Sequence, residues 1–178
     1  CRVPAVARPM RIVISLNAGS AAATAADCIA QALRAKPALV LGLATGRTMD
    51  AGYDGLAKLH REQSLDFSAC RTFNLDEYAG LPARDPHSFR HYMDRHLFSQ
   101  VNLRSELAHL PDGTAPDPIA ECARYERLIA DCGGVDLQLL GIGLNGHIGF
   151  NEPPSDFRSR THVQILSSTT REQNASLF

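Results

Sequence analysis

Apolar and polar positions alternate along this chain in two rhythms, short apolar runs and longer stretches of helical period. The short runs predict strands over residues 11–16, 38–43, 70–75 and 135–140, with a further candidate over 162–166. Residues 38–43 are apolar without a break, as in a strand covered on both faces. The helical stretches predict an alanine-rich helix over 21–35, capped by Ser20 and ended before Pro37. Further helices follow from Thr48 to about His60, over 88–98, and over 117–132. The last of these opens with an N-cap acid and proline, Asp117-Pro118, and stops at Gly133-Gly134. A terminal helix starts at Thr169. Strands alternating with helices imply an α/β fold, a mainly parallel Rossmann-like sheet with helices on both faces. No repeat or low-complexity linker divides the chain, so it reads as one domain.

The totals narrow the function classes. At 178 residues the chain can bury one real core, and 44% hydrophobic with 21% charged residues is an ordinary globular balance. A net charge of −1 gives no broad attraction to nucleic acid or to an anionic membrane, so an anionic ligand must be held by local groups. The five cysteines are odd in number and lack a C-x-x-C pair, which fits reduced thiols in the cytoplasm better than a disulfide framework or a zinc site. No apolar run approaches a membrane span. Arg2, Arg8 and Arg11 before an apolar run faintly resemble a signal peptide, but Asn17-Ala18-Gly19-Ser20 interrupts it and a strand followed by a helix explains the residues better. His87, His91 and His96 have partly helical spacing without an acid-rich metal motif nearby, and read as a helix face, not as a metal site. Arg158 and Arg160 read as loop charges.

Three predicted strand ends carry candidate chemistry, at the edge where open α/β sheets bind ligands. The first is Thr45-Gly46-Arg47-Thr48, either a plain strand–helix turn or a phosphate loop using helix N-terminal amides, hydroxyls and Arg47. It lacks the P-loop lysine and the dinucleotide-binding glycine spacing. The second is Asp76-Glu77, either a general base at the ligand edge or a pair of solvated or capping acids. The third is Gly141-Ile142-Gly143-Leu144-Asn145-Gly146-His147-Ile148-Gly149-Phe150-Asn151-Glu152-Pro153. Its glycines let the backbone approach other groups closely, and it sets an imidazole, a carboxylate and two amides together. Histidine exchanges protons near neutral pH and a carboxylate can orient it, so this loop reads as an acid–base site.

Together these segments resemble the glucosamine-6-phosphate deaminase family. The matching stretches are Leu41-Gly42-Leu43-Ala44-Thr45-Gly46-Arg47-Thr48, Thr72-Phe73-Asn74-Leu75-Asp76-Glu77-Tyr78-Ala79-Gly80-Leu81-Pro82, and residues 141–153 continuing through Ser159-Arg160-Thr161. The resemblance runs from Met10 onward, which makes residues 10–178 the sugar-phosphate domain and residues 1–9 an upstream extension. It implies conversion of glucosamine 6-phosphate and water to fructose 6-phosphate and ammonia, with no metal or organic cofactor, in amino-sugar breakdown in the cytoplasm. It places the proton-shuttling base at Asp76 and ring opening at His147, with Glu152 and Asn145 in support. It places substrate binding at Ala44, Thr45, Gly46, Arg47, Thr48, Glu77 and Gly146.

Several departures qualify what the resemblance implies. Asn145 stands where some relatives carry aspartate; it cannot take a proton, so its expected role is to orient His147. Ser176 stands at a usual phosphate-binding arginine, with Arg47 or Arg171 as partial substitutes. His162 and Gln164 replace basic residues of an activator site, so no such activation is expected. Relatives continue beyond Phe178, which reads as a C-terminally incomplete fold with an open sheet edge. The alternatives are a galactosamine-6-phosphate deaminase, a 6-phosphogluconolactonase, and a non-catalytic sugar-phosphate sensor. The lactonase has a serine-containing stretch after its Gly-His where this chain has Ile148-Gly149-Phe150-Asn151-Glu152-Pro153. The partner is a small sugar phosphate, not nucleic acid or membrane, and the family allows anything from a monomer to a hexamer.

Overall fold

Strands β1 (Val40–Leu43), β2 (Arg71–Asn74), β3 (Ala108–His109) and β4 (Leu137–Gln138) form one parallel sheet in the order β3-β2-β1-β4. This is a computed structural model, and it describes residues 10–174. The helices are α1 (Ala18–Ala35), α2 (Arg47–Gln63), α3 (Phe89–His96), α4 (Pro118–Asp131) and α5 (Ser168–Asn174). β1 is buried along its whole length and lies between two neighbours, as its unbroken apolar run requires. On one face of the sheet Leu41 and Leu43 pack with α1, α2 and α3 through Ile29, Leu33, Tyr53, Leu56 and Met93. On the other, Val40 and Phe73 pack with Tyr125 of α4. Helices therefore cover both faces, and every strand pair is parallel.

Local chemistry sets the element ends. Asn17, not Ser20, caps α1; Ser20 is its capping-box partner and donates its own hydroxyl to Asn17 O. Asp117 caps α4 through Ile119 N and Ala120 N, with Pro118 in the first turn as the sequence predicts. Gly133 and Gly134 end that helix at φ +83° and +89°, conformations that a side chain would strain. Asp136 then pins β4 to β1: its carboxylate accepts from Val40 N at 2.9 Å and pairs with Lys36 Nζ at 2.6 Å.

Three predicted strands differ. Residues 11–16 form no strand, and Ile12, Ile14 and Leu16 are 74%, 93% and 100% exposed. Their apolar run signals burial, but no strand among the described residues pairs with it. Residues 135–140 contribute only Leu137–Gln138 to the sheet: β4 has β1 on one side and, among the described residues, no strand on the other. Val135 and Leu140 are correspondingly exposed, so this is an edge strand and not the buried one predicted. Residues 162–166 also lack a ladder, with Val163 and Ile165 exposed. The short β3 was not predicted; two residues carry no readable period. Among the described residues no helix is long and apolar enough to cross a membrane.

Candidate active site

The C-terminal ends of β1 and β2 and the loop after β4 meet around a cavity of about 380 Å³. Ala44, Thr45, Gly46, Arg47 and Thr48 form one wall, Asp76 another, and Gly141, Gly143, His147 and Gly149 a third. The three strand ends singled out in the sequence are thus brought together.

The first wall is a turn into α2. Gly46 is the N-cap at φ +116° and ψ +155°, and no side chain caps the helix, whose first residues line the cavity. The turn is held from outside by Tyr92 of α3, whose hydroxyl lies 3.0 Å from Gly46 O and 2.5 Å from Asp50 Oδ1. Tyr53 donates to Ala44 O from beneath. Such a cradle favours an anion, with the threonine hydroxyls and Arg47 at its rim.

Asp76 sits where β2 has run out. Burial, then the charge of Glu77 beside it, push its carboxyl from the ordinary carboxylate range up to about 7, against the hydrogen bond from Phe150 N. Gly149, at φ +56°, lets the backbone come against it: a Cβ there would stand 3.1 Å from Asp76 Oδ2. The rings of Tyr78, Phe89 and Phe150 cluster beside this acid with centroids 4.9 to 5.4 Å apart, and Tyr78 and Phe150 approach it from two different loops. A carboxyl poised near neutrality can both take and give a proton.

Glu77 faces away from this cavity and does not line it. Its Oε1 accepts from Tyr78 N and Phe89 N, and its Oε2 from Ser88 Oγ and Arg90 N, all at 2.8 to 2.9 Å. With Ser88 as N-cap, Glu77 ties the end of β2 to the start of α3. Glu77→Ala strands the first amides of α3, at a cost of about 2–3 kcal/mol for charge-assisted bonds. The melting temperature is then expected to fall by roughly 5–10 °C. An unchanged calorimetric melt would refute that role.

In the third wall, Gly143 N donates to His147 O and Gly146 N to Gly143 O, each at 2.9 Å, closing a tight loop with Gly146 at φ +86°. The imidazole lies directly on Gly143: a Cβ there would be 2.1 to 2.4 Å from three of its ring atoms. Asn145 Oδ1 is 2.7 Å from His147 Nδ1, while Asn145 Nδ2 donates to Glu152 Oε2 at 2.8 Å. Ser167 N donates to Glu152 Oε1 at 3.0 Å. Glu152 is 5% exposed; burial raises its pKa, but hydrogen bonds from Thr170, Ser167 and Asn145 outweigh that and hold it down at about 2.

Of the predicted site residues, Asp76, His147 and the whole 44–48 turn line the cavity. Asn145 and Glu152 stand behind His147, and Gly146 shapes its loop. Ser176 lies outside the described residues, as does the 1–9 extension. Ser167 and Thr170 escaped the sequence reading; their only signal is the run Ser167-Ser168-Thr169-Thr170, which also reads as an ordinary helix start. His87 is 2.9 Å from Asp85 and His96 is 3.7 Å from Asp50, so each has an acid near it in space.

The model of the family of glucosamine-6-phosphate isomerases and 6-phosphogluconolactonase matches residues 15–170. A glucosamine-6-phosphate deaminase of Bacillus velezensis is 52% identical over 154 residues, 86% of this chain and 64% of that protein. One of Shouchella clausii is 47% identical over 95% of this chain and 68% of its own. The chain therefore spans about two thirds of the length of these relatives. Among solved structures, a monomeric glucosamine-6-phosphate deaminase superposes with a TM-score of 0.93 at 44% identity, over 95% of this chain and 70% of that one. The 6-phosphogluconolactonase of Trypanosoma brucei shares the fold, with a TM-score of 0.66 at 21% identity, over 88% of this chain and 71% of that one.

Proposed function

Because this chain belongs to the family of glucosamine-6-phosphate isomerases and 6-phosphogluconolactonase, we propose that it carries the catalytic centre of a glucosamine-6-phosphate deaminase. Residues 10–178 make up the sugar-phosphate part, and the substrate phosphate docks at the turn from Ala44 to Thr48. His147 opens the ring: Nδ1 is committed to Asn145, so Nε2 is the nitrogen that takes the proton from the C1 hydroxyl and passes it to O5 as the C1–O5 bond breaks. Asp76 removes the proton from C2 and returns it to C1, while a second proton passes from the amine to the C1 oxygen, giving a C2 imine. Water adds at C2 and ammonia leaves, completing fructose 6-phosphate. A carboxyl near pH 7 suits both halves of the proton transfer. No step calls for a metal or an organic cofactor.

The observation that carries this reading is the convergence of a near-neutral acid, an oriented imidazole and an open helix N-terminus on one cavity. A cytoplasmic setting suits a chain with an odd number of cysteines and no paired spacing. The test is to supply the purified protein with glucosamine 6-phosphate and measure ammonium and fructose 6-phosphate together. Equal amounts of the two products are expected. Hydrolysis of 6-phosphogluconolactone with no ammonium from the amino sugar would overturn the reading in favour of the other activity in the family's name. Running galactosamine 6-phosphate alongside tests whether the sugar's C4 configuration matters.

A further inference from the structure

We infer that Thr170, in the first turn of α5, is a positioning residue that reinforces the Nδ1–H tautomer of His147 set by Asn145 and ties the ring to α5. The inference rests on the ring-opening role proposed for His147. Thr170 is fully buried, and its Oγ1 lies 3.1 Å from His147 Nδ1 and 3.1 Å from Ser167 Oγ.

The direction of each bond follows from counting protons. Asn145 has its Nδ2 committed to Glu152, so it turns an acceptor, Oδ1, toward Nδ1. Nδ1 therefore carries the hydrogen and Nε2 keeps its lone pair for the substrate. A protonated Nδ1 has no lone pair to offer, so Thr170 Oγ1 meets the same N–H as a second acceptor. Asn145 reaches the ring from its own loop, whereas Thr170 reaches it from a different element 23 residues further on. Thr170 therefore makes the orientation of the ring depend on α5 being docked.

Thr170→Val keeps the shape and deletes the hydroxyl; Thr170→Ser keeps the hydroxyl. Two readouts are needed. Nitrogen NMR of the imidazole reads the tautomer directly: His147 should be the Nδ1–H form in the parent and in Thr170→Ser, and a mixture in Thr170→Val. An unchanged tautomer in folded Thr170→Val overturns the inference. The second readout is turnover. Thr170→Val should lower kcat on the closed-ring substrate by about 10- to 100-fold, the loss of one strong hydrogen bond. KM should change little, an open-chain analogue without the ring-closing hydroxyls should react at near-parental rate, and Thr170→Ser should restore kcat. Equal losses on both substrates also overturn it, since they mark a merely structural residue. If the parent releases no ammonium yet the tautomer shifts as described, the deaminase reading fails and the positioning role stands.

Discussion

Asp76→Asn is expected to lower ammonium release from glucosamine 6-phosphate by about 10³- to 10⁴-fold while leaving substrate binding nearly intact. The change removes the proton acceptor with almost no change in volume, and general acid–base groups contribute on this scale. Binding is spared because the 44–48 turn, not Asp76, holds the phosphate in the proposed mode. Normal turnover in the variant would remove Asp76 from the mechanism.

The same substitution carries a pH signature. The native carboxyl is raised from 3.8 to about 7. Below about pH 4 the group is protonated in both the folded and unfolded chain, and its contribution to stability is complete. Between about 4 and 7 the unfolded chain releases the proton more readily, so stability contributed here is lost as pH rises through the native value. Asparagine has no proton to lose. The variant should therefore melt higher than the parent at pH 8, and the gap should close toward pH 4. In the parent, kcat/KM should fall as pH drops below about 7, because the base becomes protonated. A variant that melts lower than its parent at pH 8 would mean that Asp76 is ionised and well paired in the native state.

Gly143→Ala should also damage activity, though less severely, by sterics alone. The added methyl would overlap the imidazole of His147, with three ring atoms inside 2.4 Å, so the ring must leave its seat. Its bonds to Asn145 and Thr170 would break with it. A displacement of about 1 Å at a reacting group costs on the order of 100-fold. The loss should fall on the closed-ring substrate and spare an open-chain analogue, as for other changes acting through His147. Gly143 is not in the left-handed region, so alanine imposes no backbone strain and the variant should fold. Full activity on the closed-ring substrate would show that the imidazole does not need this seat.

Which parts of this architecture could be read beforehand follows from where their causes lie. Residues 38–43 announce β1 because a strand buried on both faces must be apolar throughout, and only its first two residues fell outside the ladder. The cap at Asp117 and the stop at Gly133-Gly134 are local chemistry, and were legible for that reason. Pairing is not local. Residues 11–16, 135–140 and 162–166 have strand-like composition, but whether they join a ladder depends on a neighbour that their own residues do not specify. In the site, His147 stood out because Asn145, Glu152 and four glycines surround it in the sequence, whereas Asp76 alone read equally well as a solvated or capping acid. Ser167 and Thr170 did not stand out, because serine and threonine begin many helices. Gly143 stood out only as a glycine; that its missing side chain makes room for the His147 ring is a matter of three dimensions. Glu77 looked like a second site acid and is the anchor of α3.

The two-residue ladder between β4 and β1 has a dynamic meaning. Asp76 follows a strand flanked on both sides, whereas the loop bearing His147 begins just after β4, whose outer side is unpaired among the described residues. Amide hydrogens over 137–147 should therefore exchange with solvent well before those of β1 and β2, through local openings that leave the rest folded. A ligand bridging the 44–48 turn and His147 would bind only the closed form, and part of its binding energy would go into closing it. Slowed exchange over 137–147 would then report occupancy of the cavity without any turnover at all.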